Sequence, residues 1–168
     1  ASDRLALHVT DALRFDFAQL GHDLRLIGNL PYNISTPLLF HVAQYDAHVR
    51  DVTVMLQREV IDRMAAAPGS KDYGRLTVML APRLHIEKLF DVGPGAFTPS
   101  PRVWSAVARL QVLSEPRFPV PPAFARVVSA AFAQRRKTLR NSLRAVVPES
   151  AFAATGIDPQ LRPEVLAP

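Results

Sequence analysis

The sequence has 168 residues, 48% of them hydrophobic, and no cysteine. That apolar content is enough for a packed core, and the lack of thiols excludes disulfide frameworks and thiolate metal centres, so an intracellular, cytoplasmic protein is expected. No apolar run is long enough to span a bilayer, and no membrane partner is expected. The net charge of +5 favours an anionic partner, and its placement is uneven: residues 1–113 hold 12 Lys/Arg against 11 Asp/Glu, whereas residues 114–168 hold 8 against 4.

In chain order, "RLALHVTDAL" (Arg4 to Leu13) and "DLRLIGN" (Asp23 to Asn29) each have a short β-prone apolar core, and they read as strands stopping on Asp11 and Asn29. "STPLLFHVAQY" starts a helix, with Ser35 or Thr36 as cap, Pro37 in the first turn, and Leu38, Leu39, Val42 and Tyr45 at helical spacing. "VRDVTVMLQ" is a third strand, and "REVIDRMAAA" is a helix ended by Pro68 and Gly69. This alternation predicts an α/β fold with largely parallel strands. "RLTVMLAPRL" fits helix or strand, while "IEKLFDV" and "SAVARLQVL" form a hairpin-like strand pair around the irregular "GPGAFTPSPRVW". Four prolines in "SEPRFPVPP" forbid helix and central strand, so residues 114–122 are a linker between a sheet domain, 1–113, and a small basic helical domain, 123–168. In that domain "AFARVVSAAFAQRRKTLRNSLRAVV" is helical in pattern.

In open α/β sheets ligands bind beyond the carboxyl ends of the strands, so Asp11 and Asn29 are expected to face one crevice. Asp11 offers an acceptor for an amine or a ribose, and Asn29 an acceptor and a donor on a short neutral side chain. Tyr32 offers a flat face for a base, and Pro31 fixes the backbone after Leu30 so that a carbonyl can point into the cleft. This set suits the exocyclic amine of adenine. Two acceptors holding its hydrogens favour a pyramidal nitrogen whose lone pair faces an electrophile, so orientation and preorganised electrostatics replace a general base. Taken singly, Asn29 is more often a turn former and Tyr32 a packing residue, Asp11 is as readily a cap or turn residue, and Phe97, before "TPSP", has a plug under a loop as its lesser alternative.

The segments "IGNLPYNISTPLLF", "MLQREV", "YGRLTVML", "FTPSPRVWSAV" and "QRRKTLRNSL", in this order, resemble the KsgA/RsmA-type family of S-adenosylmethionine-dependent rRNA adenine N6-dimethyltransferases. The resemblance spans nearly the whole chain and is nearest to the bacterial branch acting on 16S rRNA of the small ribosomal subunit. It implies the C-terminal part of a Rossmann-like methyltransferase sheet with a small all-α domain behind it. It implies that Asn29, with the backbone of Leu30 and Pro31, holds the target amine while Tyr32 and Phe97 sandwich the flipped adenine. By the same resemblance Asp11 and Ala12 receive the adenine of S-adenosylmethionine, and Asn29 borders its methionine end. The family's Gly-rich cofactor loop and ribose-binding acid precede "TDAL", so the cofactor site is expected to be incomplete in this chain. The resemblance gives Trp104 no role.

Arg135, Arg136, Lys137 and Arg140, with Asn141 beside them, are expected to contact rRNA phosphates. Arg102 belongs with them, and Lys71 and Arg75 are either a second RNA contact or ordinary loop charges. His8, His22, His41, His48 and His85 show no ligand spacing, so no metal is expected, and Met55, Met64 and Met79 read as core. The chain is expected to be a monomer with the small-subunit rRNA as partner. The rival readings are a non-catalytic rRNA-binding or ribosome-assembly factor, and a macrolide-resistance-type methylase of large-subunit rRNA.

Overall fold

The computed structural model describes residues 5–31, 33–134 and 136–168. Four strands form one sheet: β1 (Leu24–Asn29), β2 (Val49–Gln57), β3 (Leu84–Val92) and β4 (Ser105–Val112), in spatial order β1-β2-β4-β3. Helices α1 (Ser35–Val42), α2 (Arg58–Met64) and α3 (Arg75–Leu80) lie between them in sequence, and α4 (Phe124–Phe132), α5 (Leu139–Leu143) and α6 (Ser150–Thr155) follow. The α/β class is as expected, but the sheet is mixed rather than largely parallel. Only β1 and β2 run parallel; β2–β4 and β3–β4 are antiparallel. The crossover through α1 permits the parallel pair, whereas residues 93–104, which join β3 to β4, hold no α-helix and turn back at the same end of the sheet, giving antiparallel neighbours.

The expected strand over Arg4 to Leu13 does not form in the described part of that stretch. Residues 5–10 form no strand, and Leu5, Leu7 and Val9 are in solvent. An extended segment becomes a strand when its amides and carbonyls pair with a neighbour, and among the described residues β1 pairs only with β2. Residues 11–23 are instead pinned by aromatic contacts. Phe17 meets His41 and Tyr45, His41 Nε2 donates to the Phe15 carbonyl at 2.8 Å, and His48 Nδ1 to that of Gly21 at 2.8 Å.

One sheet face carries the core. Val52, Val54 and Leu56 of β2 and Ala106, Ala108 and Leu110 of β4 pack with Leu38, Leu39 and Val42 of α1, Ile61 and Met64 of α2, and Leu80 of α3. Each fully buried Leu, Ile or Val contributes roughly 1.5–3 kcal/mol. Pro37 sits inside α1, which begins at Ser35 without a side-chain cap. Of the three methionines read as core, only Met64 is fully buried; Met55 points to the opposite sheet face.

On that opposite face Asp51, its side chain 3% exposed, is ringed by three arginines, one from its own strand and one from each neighbour. Arg25 Nε reaches both carboxylate oxygens at 3.1 Å, Arg109 Nη2 lies at 3.3 Å and Arg50 Nε at 3.6 Å. The hydrogen bond from Arg25 is the main cause holding the Asp51 carboxyl below its ordinary pKa, and the same bond raises that of Arg25.

The C-terminal helices close a second core of Ala131, Leu139, Leu143 and Phe152. The expected continuous helix is broken: α4 ends at Phe132 and α5 begins only at Leu139. The break lets Leu139 and Leu143 fold back onto Ala131, with the Leu139 amide donating to the Leu161 carbonyl at 2.8 Å. α6 ends on Gly156, whose φ of 69° is the left-handed conformation that glycine adopts without strain. A third cluster, Tyr73, Val78 and Val128, joins the helices to the sheet unit. Two further bonds fasten the tail to the same place: Tyr73 Oη donates to the Leu166 carbonyl at 2.7 Å, and the Gly69 amide to that of Glu164 at 2.7 Å. No described helix is long and apolar enough to cross a membrane.

Asp51→Ala should lower the unfolding free energy by about 1–3 kcal/mol in urea titrations, below the roughly 3–5 kcal/mol of a fully buried pair because water can reach the three arginines. The wild-type contribution is present above the unfolded carboxyl pKa of roughly 3.9 and is lost as pH falls through the lower folded value. Acid titration of stability should therefore be steeper for wild type than for Asp51→Ala; parallel curves would remove Asp51 from the account.

Candidate functional site

The strand registers decide what shares an end of the sheet. Asn29 pairs with Met55, Met55 with Val107, and Val107 with Phe90; Gln57 pairs with Ser105, and Ser105 with Val92. The carboxyl ends of β1, β2 and β3 therefore lie together with the start of β4. Asn29–Pro31, Arg58 and the 93–104 connection emerge on this one side, with neighbouring strands about 4.8 Å apart.

Asn29 is the last residue of β1 and is exposed, and its carboxamide has no hydrogen-bond partner among the described residues. The Leu30 amide extends the ladder by donating to the Met55 carbonyl at 3.2 Å. Its side chain returns toward the strand, where a Cβ at Gly28 would stand 2.8 Å from Leu30 Cδ2. The Pro31 carbonyl accepts the Ile34 amide at 3.2 Å in the turn entering α1. A carbonyl oxygen has two lone pairs, so this acceptor keeps one for a second donor. Tyr32 lies outside the described residues.

Phe97 is half-buried on the 93–104 connection, directly after the 3-10 turn Pro94–Ala96, with its amide bonded to the Pro94 carbonyl at 3.2 Å. Ser100 Oγ closes the same loop on the Pro94 carbonyl at 3.0 Å. Asn29 and Phe97 thus occupy the same end of the sheet on different connections. Asp11 is elsewhere in kind: it ends no strand, and its Oδ1 accepts the Leu13 amide at 2.9 Å in a turn of its own. Its Oδ2 lies 3.9 Å from Arg14 Nε, and both Asp11 and Ala12 face solvent.

Trp104 and Arg58 lie outside the expected site residues. These two fasten the base of the loop that carries Phe97. The Arg58 amide donates to the Trp104 carbonyl at 2.9 Å, and its guanidinium carbon lies 5.5 Å from the centroid of the Trp104 ring. The ring also packs on Gly93, where an added Cβ would sit 3.5 Å from it, so both ends of the loop meet on one side chain. Beneath, Lys88 Nζ bonds Asp91 at 2.8 Å and Asp62 at 3.0 Å, which raises its pKa. Arg58 approaches the same two carboxylates at 3.9 and 4.0 Å. The signal available in the sequence was the position of Arg58, one residue beyond β2, facing the residue that precedes β4.

The basic candidates divide. Arg136 and Lys137 are exposed between α4 and α5, and Arg102 is exposed on the 93–104 connection; none is in an ion pair among the described residues. Arg135 lies outside the described residues. Arg140, expected to be unbalanced, is paired with Glu149 at 2.6 Å, and the Asn141 amide nitrogen donates to Thr138 Oγ1 at 3.2 Å. Lys71 also has a partner. Arg75 begins α3 and lines a cavity of 410 Å³ with Thr36, Arg63, Asp72 and Phe132.

Trp104 is the only tryptophan and its side chain is half exposed, so its emission reports on this clamp. Arg58→Ala should raise acrylamide quenching of Trp104 and cost about 0.5–1 kcal/mol of stability. Unchanged quenching would show that the guanidinium does not cover the ring.

Comparison with known proteins bears on the fold and the family. The structure resembles those of a dimethyladenosine transferase from Plasmodium falciparum (TM-score 0.72, 24% identity, 88% of this chain and 51% of that one) and of the 23S rRNA methyltransferase ErmE (TM-score 0.66, 24% identity, 93% and 65%). These likenesses establish a methyltransferase fold. In sequence the chain is 58% identical to the ribosomal RNA small subunit methyltransferase A of Thiobacillus denitrificans over 98% of its own length and 65% of that protein's, and it spans just under two thirds of such relatives. The model of the family described as ribosomal RNA adenine dimethylase matches residues 1–165, and the chain belongs to that family.

Proposed function

We propose that this chain carries the base-seating and rRNA-gripping parts of an enzyme that methylates twice the N6 amine of two adjacent adenosines in 16S rRNA of the small ribosomal subunit, with S-adenosylmethionine as donor, acting as a cytoplasmic monomer. The observation that carries the reading is Asn29: an exposed carboxamide with no partner among the described residues, at the carboxyl end of β1, in a chain of this family. The 58% identity to a small-subunit relative favours 16S over large-subunit rRNA as the substrate.

The residues present fit their share of the cofactor. Asp11 Oδ1 accepts the amide of its own turn and Oδ2 only approaches exposed Arg14 at 3.9 Å, so Oδ2 keeps a lone pair for an adenine amine, with exposed Ala12 beside it. When bound, S-adenosylmethionine supplies a methyl group on a positively charged sulfur. The chain's own residues then act on the substrate. Asn29 Oδ1 accepts one hydrogen of the target amine, and a main-chain oxygen of Leu30 or Pro31 accepts the other; the unused lone pair of the Pro31 carbonyl is suited to this. In the first transfer, holding both hydrogens draws the nitrogen out of conjugation with the ring and aims its lone pair; each new N–C bond is matched by loss of one N–H proton to water, so the second transfer has one hydrogen left to hold. Phe97, with Tyr32, covers the faces of the extruded base and offsets the few kcal/mol of unstacking. The Trp104–Arg58 clamp keeps the Phe97 loop at the cleft without touching substrate. Arg136, Lys137 and Arg102 meet phosphates, and the ion pair of Arg140 with Glu149 makes its share smaller.

In the full-length protein Asn29→Ala should keep subunit binding and lower the methylation rate by about a hundredfold, the scale for removing one preorganised polar contact. Methylation at the wild-type rate would reject Asn29 as the amine ligand. Replacing Arg136 and Lys137 together by Ala should weaken rRNA binding and reduce the slope of log affinity against log salt by ~1 per lost phosphate contact. An unchanged slope would return both to ordinary surface charge.

A further inference from the structure

The break in the C-terminal helical stretch does more than display charge. Between α4 and α5 lies an open surface cleft of 490 Å³, most of whose lining residues are exposed, within the size range of small-ligand sites. Its walls divide by chemistry. Part-buried Ala130 and Val146 form its apolar floor, while exposed Gln134, Lys137, Asn141 and Arg144 bring two amides and two cations to it. No carboxylate lines it, and neither Lys137 nor Arg144 is in an ion pair among the described residues. Asn141 spends one donor on Thr138, leaving its carbonyl oxygen and another N–H, and Gln134 adds a second amide.

We propose that this cavity takes one unpaired ribonucleotide of the bound rRNA, a site separate from the seat of the methylated adenine. The inference rests on the rRNA-binding reading above. An apolar floor suits a base face, amides suit its edge, and Lys137 and Arg144 suit the flanking phosphates. A paired segment cannot use it, because its bases are stacked inside the helix and only its backbone reaches the rim. A looped or bulged nucleotide enters with little unstacking cost. The domain thereby recognises where the RNA is unpaired, which charge on a helix face cannot do.

The test uses the full-length protein and two RNA hairpins identical except for one bulged adenosine, with binding followed by fluorescence anisotropy. Wild type should prefer the bulged hairpin by about tenfold. Ala145→Trp, which fills the cavity without changing charge, and Arg144→Ala should each bring that preference close to unity. Arg136→Ala, outside the lining, should weaken both hairpins equally and keep the ratio. Circular dichroism identifies a variant that does not fold, and Arg144→Ala, an exposed truncation, then decides. Equal wild-type affinity for the two hairpins, or a preference untouched by the cavity variants, would overturn the assignment while leaving rRNA binding intact; failure to bind either hairpin would overturn the rRNA-binding reading with it. Free AMP binding as tightly as the bulged hairpin would reassign the cavity to a mononucleotide and likewise overturn the proposal.

Discussion

The pairing of β2 with a parallel neighbour on one side and an antiparallel one on the other is the constraint on which the rest depends. Because β1 runs with β2 and β4 runs against it, the end of β1, the end of β2 and the start of β4 lie together at one side of the sheet. The antiparallel β3–β4 pair then brings its connection to that same side. A one-residue slip of β4 against β2 would invert its alternation, exposing Ala106, Ala108 and Leu110 and turning Val107 and Arg109 into the core. The site therefore inherits its geometry from core packing.

Opposite that core the sheet holds its strands together by charge. Asp51 binds arginines from β1, β2 and β4, so one buried carboxylate ties three strands across their hydrogen-bonding direction. The Arg58, Asp62, Lys88 and Asp91 group plays a comparable part nearer the site, linking α2 to β3 under the loop that bears Phe97. Ile27, 86% exposed, lies on the same face as Asp51 and contributes nothing to the core.

Much of this was legible from periodicity. Six- to nine-residue β-branched runs gave β1 to β4 nearly to the residue, because each has a face that must be buried, and the Asn-Leu-Pro sequence marked the edge where ladder pairing gives way to a turn. What failed was whatever depended on partners distant in sequence. Residues 5–10 alternate as a strand should, yet alternation supplies no hydrogen-bond partner. The stretch from Phe124 to Val147 is helical in composition, but Leu139 gains more from reaching Ala131 and the Leu161 carbonyl than from continuing the axis. Arg140 looked unbalanced because Glu149 is nine residues away and only a fold brings it near. Trp104 looked arbitrary because the groups it covers, Gly93 and Arg58, belong to other segments.

The fastening of the tail by Tyr73 and Gly69 has its own implication. With the Leu166 and Glu164 carbonyls bound to the segment between α2 and α3, the helical unit cannot swivel freely against the sheet. On the reading proposed here, the seat for a base and the anchor for the surrounding RNA then stand a set distance apart, like the jaws of a caliper. Such a tool measures its object before it reads any letter: an RNA whose target and handhold are spaced differently is turned away by geometry alone.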